Sequence, residues 1–253
     1  MKNLLIYINP KEEFDEESKL LIKLQIENSL ELDWKPEDII LVTNFPYKYM
    51  GVKAFQVGGE NYCKLFPQAT KVDTMVHLFD IGFIKDGLYW LHDLDAYQQE
   101  VITEEELGLE GIDLGLTDYG RKERWNGGST FLRKTAKDIY HVLKDTMYAK
   151  NINYKTGIWK NEEDVLMELT ANNTNNINSR VKRLNYTYNF GVRKIKECYE
   201  KTSKPIKVLH FHPYRIYWGK SRALDIIMYG KNGINKPIMN ERLSRLFIKY
   251  GIT

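Results

Sequence analysis

A chain of 253 residues, 43% hydrophobic and 28% charged, is long enough to bury a core as one large domain or two small ones. The composition is that of a folded, water-soluble protein, and 37 Lys and Arg against 34 Asp and Glu leave only +3, too little to mark a nucleic-acid binder. That average hides a division: residues 180–253 hold 17 basic and 4 acidic side chains (+13), residues 1–179 hold 20 and 30 (−10).

The chain opens on the apolar run Leu4-Leu5-Ile6-Tyr7-Ile8, which Asn9-Pro10 stops. It reads as a strand and is too short for a signal-peptide core. Further strand-like runs follow at Ile39 to Thr43, Ala54 to Val57 and Leu88 to Leu91. Ile22, Ile26 and Leu30 recur at helical spacing between the first two, and Val72, Met75, Val76 and Phe79 do so before the last. This alternation predicts an α/β fold, a Rossmann-like, mainly parallel sheet flanked by crossover helices.

The second half begins with a strand through Ser129 to Leu132 and a helix carrying Ala136, Ile139, Tyr140, Leu143 and Met147 on one stripe. Asn161 reads as an N-cap, with Glu162-Glu163-Asp164 in the first turn and Val165, Leu166 and Leu169 on the buried side. Asn172 to Asn176 is a loop by composition, Lys207 to Phe211 a late strand, and Pro237 the first-turn residue of a terminal helix carrying Met239, Leu243, Leu246, Phe247 and Tyr250. With no repeat and no linker, the partition predicted is one domain over 1–215 with a basic helical extension over 216–253 packed on it. Cys63 and Cys198 give neither a disulfide framework nor zinc spacing, and no segment reaches the roughly 18 apolar residues of a membrane span. The cysteines point to a reducing compartment, and with no such span the expected location is cytoplasmic.

Chemistry concentrates in Leu88-Tyr89-Trp90-Leu91-His92-Asp93-Leu94-Asp95. An apolar strand runs into Asp-Leu-Asp, and in an extended chain positions i and i+2 face the same way, so Asp93 and Asp95 are expected to converge while His92 points to the other face. The carboxyl end of such a strand is where open α/β sheets bind ligands, and two hard carboxylates suit Mn2+ or Mg2+ held against a diphosphate. With 14 Asp in the chain, one Asp-x-Asp is expected by chance about 0.8 times, so a solvated turn is the competing reading. Gly127 and Gly128 leave room either for a ligand close to the backbone or for a tight turn. The acidic helix start serves capping or supplies a general base, for which Asp164 is the first candidate and Glu163 the second. His210 and His212 share one strand face, as a hydrogen-bonded pair or as a source of a metal ligand, and imidazole beside two carboxylates favours Mn2+.

In this order the motifs resemble those of GT-A-type glycosyltransferases, the nucleotide-sugar-dependent class. Asp93-Leu94-Asp95 is similar to that family's metal-binding Asp-x-Asp. Arg124 to Arg133, with Asn126-Gly127-Gly128, resembles the strand lining its donor and acceptor pocket, and Glu162-Glu163-Asp164 its acidic helix start. His210 resembles its late metal-binding His, although His210-Phe211-His212-Pro213 lacks the Gly and Lys that usually follow, which leaves His212 as second choice. The resemblance covers about residues 1–215 and implies a GT-A-like fold and the transfer of a hexose or pentose from a nucleoside diphosphate sugar, UDP-linked above all, to an acceptor hydroxyl. It implies metal ligation by Asp93, Asp95 and His210, and donor contacts from Ile8, Asn9, Lys71, Asp93, Asn126, Gly127 and Gly128. Arg215 and Lys220, with Arg222, are expected to neutralise the departing diphosphate.

The basic third bears on the acceptor. Lys182, Arg183, Arg193, Lys194, Lys196, Lys201, Lys204 and Lys207 interleave with Tyr186, Tyr188, Phe190 and Tyr199, a pattern that suits a nucleic-acid backbone with exposed bases, sugar stacking or a plain solvated surface. An anionic acceptor, a modified DNA base or a phosphate-bearing glycan or lipid, follows from it, and the terminal helix offers peripheral membrane contact. Two alternatives stand beside the transferase: a non-catalytic nucleic-acid-binding protein working through residues 180–253, and a GT-A-like nucleotidyltransferase. The second lacks its usual Gly-rich loop after the first strand, where this chain has Asn9-Pro10-Lys11-Glu12-Glu13.

Overall fold

The computed structural model describes residues 1–64, 66–119, 124–151, 160–191, 195–211 and 237–252. Its spine is a seven-stranded sheet. The apolar run after the N-terminus forms β1 (Lys2–Tyr7), paired in parallel with β2 (Ile39–Thr43) on one side and with β6 (Leu88–His92) on the other. Two short strands, β3 (Lys48–Tyr49) and β4 (Val52–Lys53), make a hairpin before β5 (Phe55–Gln56), which closes that edge on β2. Past β6 the sheet turns antiparallel through β9 (Trp125–Arg133) and β8 (Leu114–Asp118), and β10 (Val181–Arg183) forms the other edge. The spatial order is β10-β8-β9-β6-β1-β2-β5, mixed but mainly parallel where the first half predicts it.

Both faces are covered, as parallel strands require. Leu5, on one face of β1, packs with α1 (Glu16–Leu30), while Leu4, on the other, packs with α2 (Thr70–Asp80), α4 (Lys137–Asn151) and α5 (Glu162–Ala171). The helical stripes read from the sequence are buried, including Ile22, Ile26, Met75, Ile139 and Leu143. A second sheet of three short strands, β11 (Phe190–Gly191), β12 (Val208–His210) and β7 (Ala96–Gln98), abuts the carboxyl end of β6, where the site forms. A one-turn helix, α3 (Glu104–Leu107), leads into β8, and α6 (Ile195–Lys201) precedes β12.

Three sequence expectations change. The terminal helix, α7 (Glu241–Lys249), starts four residues after Pro237, because the Asn240 side chain accepts from the Leu243 amide (2.9 Å) and supplies the cap a helix start needs. It packs Leu243, Leu246 and Phe247 into the α1 side of the core. The strand predicted from Ser129 begins at Trp125, so Asn126, Gly127 and Gly128 lie inside β9 and not in a turn before it. Its partner β8 escaped the reading, since Leu-Gly-Leu-Thr-Asp is short and broken by glycine. Both cysteines are buried free thiols, and no described helix is long and apolar enough to cross a membrane.

Candidate active site

Three chain segments meet at the carboxyl end of β6. The Asp93 amide donates to Gly128 O (3.0 Å), which extends the β6–β9 ladder by one residue, and the Ala96 amide donates back to Asp93 O (3.1 Å). Asp-Leu-Asp is therefore a tight turn into β7. The two carboxylates converge because the chain folds back, not because it stays extended as the sequence reading assumed. The Phe211 amide donates to Asp95 O (3.0 Å), docking the end of β12 on this turn and bringing His210 in from above.

The result is one cluster. Oxygens of Asp93 and Asp95 and a ring nitrogen of His210 lie within 4.8 Å of one another. His210 Nε2 is 3.5 Å from Asp95 Oδ1 and 3.8 Å from Asp93 Oδ2, too far for a tight ion pair and wide enough for a cation between them. Metal bonds of about 2.1–2.2 Å put neighbouring ligand atoms roughly 3 Å apart and opposite ones just over 4 Å, so the cluster fits a divalent ion in size as well as in its donor set of two carboxylates and an imidazole. Burial pulls the His210 imidazole down, but the carboxylates of Asp95 and Asp93 outweigh it and raise its pKa. His92 takes no part: stacked on Trp90 and bonded to Asn3 Oδ1 (2.7 Å), it is pushed down to about 4 by burial, as its predicted orientation implies.

Beside the cluster lies a chain of charges. Lys71, on the first turn of α2, reaches Asp93 Oδ1 (3.0 Å), Glu162 Oε1 (2.6 Å) and Gly127 O (3.1 Å). Burial opposes its charge, yet Asp93 and Glu162 raise its pKa well above that of a free lysine. Glu162 is raised to about 7 by burial, with the charges of Asp93 and Glu163 adding and Lys71 opposing. Glu163 accepts from Tyr119 Oη–H (2.8 Å) and the Gly127 amide (2.9 Å), and burial raises its pKa in spite of both bonds. Among the described residues, four carboxylates thus face one lysine and one histidine here, a field that draws cations.

A cavity of about 650 Å³ opens over these groups, lined by Asp93, Asp95, His210, Lys71, Glu162 and Glu163 at one end and by Ile6, Tyr7, Ile8, Asp15 and Ser18 at the other. Ile8 and Glu163 are among its lining residues. Asn9 sits behind it, its Nδ2 donating to Tyr7 Oη (2.9 Å), and Asn126 is buried with its Oδ1 accepting from the Gly128 amide (3.0 Å). Asp164 is not among the lining residues, and its amide closes the Asn161 cap (2.9 Å). Asp73, two residues after Lys71 on α2, is turned to Tyr148 (2.5 Å) and Lys144 (3.3 Å). The space a side chain would need at Gly128 is filled by the His210 ring, 1.9 Å from an added Cβ, and that at Gly127 by the Glu162 carboxylate at 2.4 Å. The glycines admit the protein's own functional side chains. His212, Arg215 and Lys220, with Arg222, lie outside the described residues.

Glu162, Tyr119, Tyr7 and Asp15 were not singled out as site residues. Glu162 carried a signal, as the first of three acids at a helix start. Tyr119 follows the unrecognised strand β8, and nothing local marks it.

The basic third does not form a free cationic face among the described residues. Arg180 pairs with Asp113 and Asp138 (both 2.5 Å), Arg183 with Asp118, Lys207 with Glu106 (3.2 Å) and Lys249 with Glu27 (2.5 Å). Phe190 is fully buried, and Tyr186, Tyr188 and Tyr199 pack against the core, so these aromatics are no exposed base-stacking platform.

No protein-family model and no curated protein sequence matches the chain. Solved structures do. A glycosyltransferase involved in the glycosylation of the major capsid of PBCV-1 superposes with a TM-score of 0.56 at 11% identity, over 85% of this chain and 96% of that one. The galactosyltransferase LgtC, in complex with donor and acceptor sugar analogs, gives 0.55 at 13% over 98% and 96%. The glycosyltransferase GlyE of Streptococcus pneumoniae TIGR4 gives 0.58 at 12%, this whole chain spanning 61% of that protein. The chain has the GT-A fold.

Proposed function

We propose that this protein is a metal-dependent glycosyltransferase, moving a sugar from a nucleoside diphosphate donor, UDP-linked in the first instance, to an acceptor hydroxyl. The observation that carries the reading is the Asp93–Asp95–His210 cluster in the floor of a 650 Å³ cavity on a GT-A sheet. Asp93, Asp95 and His210 would hold Mn2+, which when bound screens the donor diphosphate and stabilises the charge that grows on it as the bond breaks. The cavity end at Tyr7, Ile8 and Asp15 takes the nucleoside, with Asn9 bracing Tyr7. Arg215 and Lys220 stay assigned to the departing diphosphate.

At the other end Lys71 and Glu162, locked together, present one donor and one acceptor to sugar hydroxyls. Glu163 replaces Asp164 as the carboxylate that meets the acceptor, because it lines the cavity and its raised pKa brings it nearer the range of a working base. The bond between the anomeric carbon and the diphosphate oxygen breaks, a bond from that carbon to the acceptor oxygen forms, and the acceptor's proton passes to Glu163 as the nucleoside diphosphate leaves. The named activities of the structural neighbours, capsid glycosylation and galactosyl transfer, agree with a glycan acceptor. Among the described residues, the pairing of Arg180, Arg183 and Lys207 with acidic side chains favours this over nucleic acid.

Free UDP released from a panel of UDP-sugars, with Mn2+ and with EDTA, tests the reading. Release in Mn2+ alone, lost by at least a hundredfold in Asp95→Asn, supports it. Release that ignores both metal and mutation, or none from any nucleotide sugar, rejects it.

A further inference from the structure

Asn189 is fully buried, directly before β11, on the parallel neighbour of the strand that ends in His210. Its Oδ1 lies 3.0 Å from His210 Nδ1, and its Nδ2 donates to the Asn126 backbone carbonyl (3.4 Å). The second bond fixes the first. A carbonyl oxygen only accepts, so the amide nitrogen must face Asn126, which leaves the amide oxygen, also an acceptor only, facing the imidazole. Nδ1 must then carry a proton and donate. In a neutral imidazole with Nδ1–H the lone pair sits on Nε2, the nitrogen that faces Asp95 and Asp93.

We infer that Asn189 is a positioning residue that fixes His210 in its Nδ1–H tautomer and ring orientation, so that Nε2 is the nitrogen offered to the metal. This rests on the metal reading of the Asp93–Asp95–His210 cluster. Two other contacts bear on the ring, and neither puts the proton on Nδ1. Gly128 places nothing but backbone against Cε1, so it admits the ring without choosing which nitrogen points where. The carboxylates sit at the Nε2 end, and a ring turned by 180° about Cβ–Cγ would set Cε1 against them in place of Nε2 and Cδ2 against Asn189 in place of Nδ1. Asn189 meets the other end of the ring and draws the proton to Nδ1, whereas the carboxylates by themselves would draw it to Nε2. Losing the outer partner of a metal-bound histidine typically costs ten- to a hundredfold in metal affinity.

The test is Mn2+ binding to the metal-free full chain, followed by electron paramagnetic resonance of the free ion, in wild type, Asn189→Leu and Asn189→Asp. Melting of each metal-free protein is recorded separately. Asn189→Leu keeps the volume and removes the acceptor; Asn189→Asp keeps an acceptor facing Nδ1 and gives up only the bond to Asn126. Expected is a ten- to hundredfold weaker Mn2+ affinity in Asn189→Leu, and in Asn189→Asp an affinity within about threefold of wild type or tighter. Should the leucine variant fail to fold, the aspartate variant decides alone. Wild-type affinity in Asn189→Leu, whatever its melting temperature, or a tenfold loss in Asn189→Asp, overturns the inference while leaving the metal site standing. No Mn2+ binding by the wild-type chain overturns the metal reading and the inference together.

Discussion

At the scale of single residues, the two glycines of β9 carry the most unexpected role. Read in sequence, Asn126-Gly127-Gly128 offered a ligand access to the backbone, yet the room is used by Glu162 and His210. An added methyl at Gly128 would sit 1.9 Å from His210 Cε1, in a fully packed strand where neither side can yield without moving the ring off the Asp pair. Gly128→Ala is therefore expected to weaken Mn2+ binding at least tenfold, measured by calorimetry, with a stability loss of about 1–3 kcal/mol from overpacking. Unchanged affinity would mean that the ring does not need this space. Asp93, Asp95 and His210 were legible in sequence because residue type and placement after a strand suffice to mark them. Tyr119 and Asn189 were not, since what they do depends on partners 44 and 21 positions away that no local pattern records.

Among elements, the helices were the easiest to foresee and the short strands the hardest. A stripe such as Ile139, Leu143 and Met147 specifies both a helix and its buried face, whereas β8, β10 and β11 owe their existence to partners distant in sequence. The docking of α7 shows the same limit, for its start is set by Asn240 and its seat by α1. There Glu27, buried on α1, accepts from Tyr49 (2.5 Å) and Tyr250 and pairs with Lys249 (2.5 Å). Burial alone would raise the Glu27 pKa, but the bonds from Lys249, Tyr250 and Tyr49 overcome it and hold it below that of a free glutamate. A carboxylate with a depressed folded-state pKa stabilises the fold above its unfolded pKa, about 4.3, and that stability is lost as pH falls through the folded value. Wild type should thus lose melting temperature across this acid window more steeply than Glu27→Gln, which should be less stable at pH 7 by about 2 kcal/mol. Parallel pH profiles for the two proteins would show that Glu27 does not tie the helix down.

For the molecule as a whole, the division between an acidic 1–179 and a basic 180–253 is answered in part from within, among the described residues. Arg180, Arg183 and Lys207 meet Asp113, Asp138, Asp118 and Glu106 of the acidic part, holding β10 and β12 against the main body. Among the described residues the site keeps an acidic excess, Asp93, Asp95, Glu162 and Glu163 against Lys71 and His210. A diphosphate entering that field alone meets like charge, and a divalent cation reverses the sign of the encounter. The central claim is that cation and nucleotide bind as a pair, and calorimetric titration of UDP into the full chain, with Mn2+ and then with EDTA, tests it most directly. The account predicts UDP binding at least about a hundredfold tighter with Mn2+, a difference of about 2.7 kcal/mol that disappears in Asp95→Asn. UDP bound equally well in EDTA, or not bound under either condition, would contradict it.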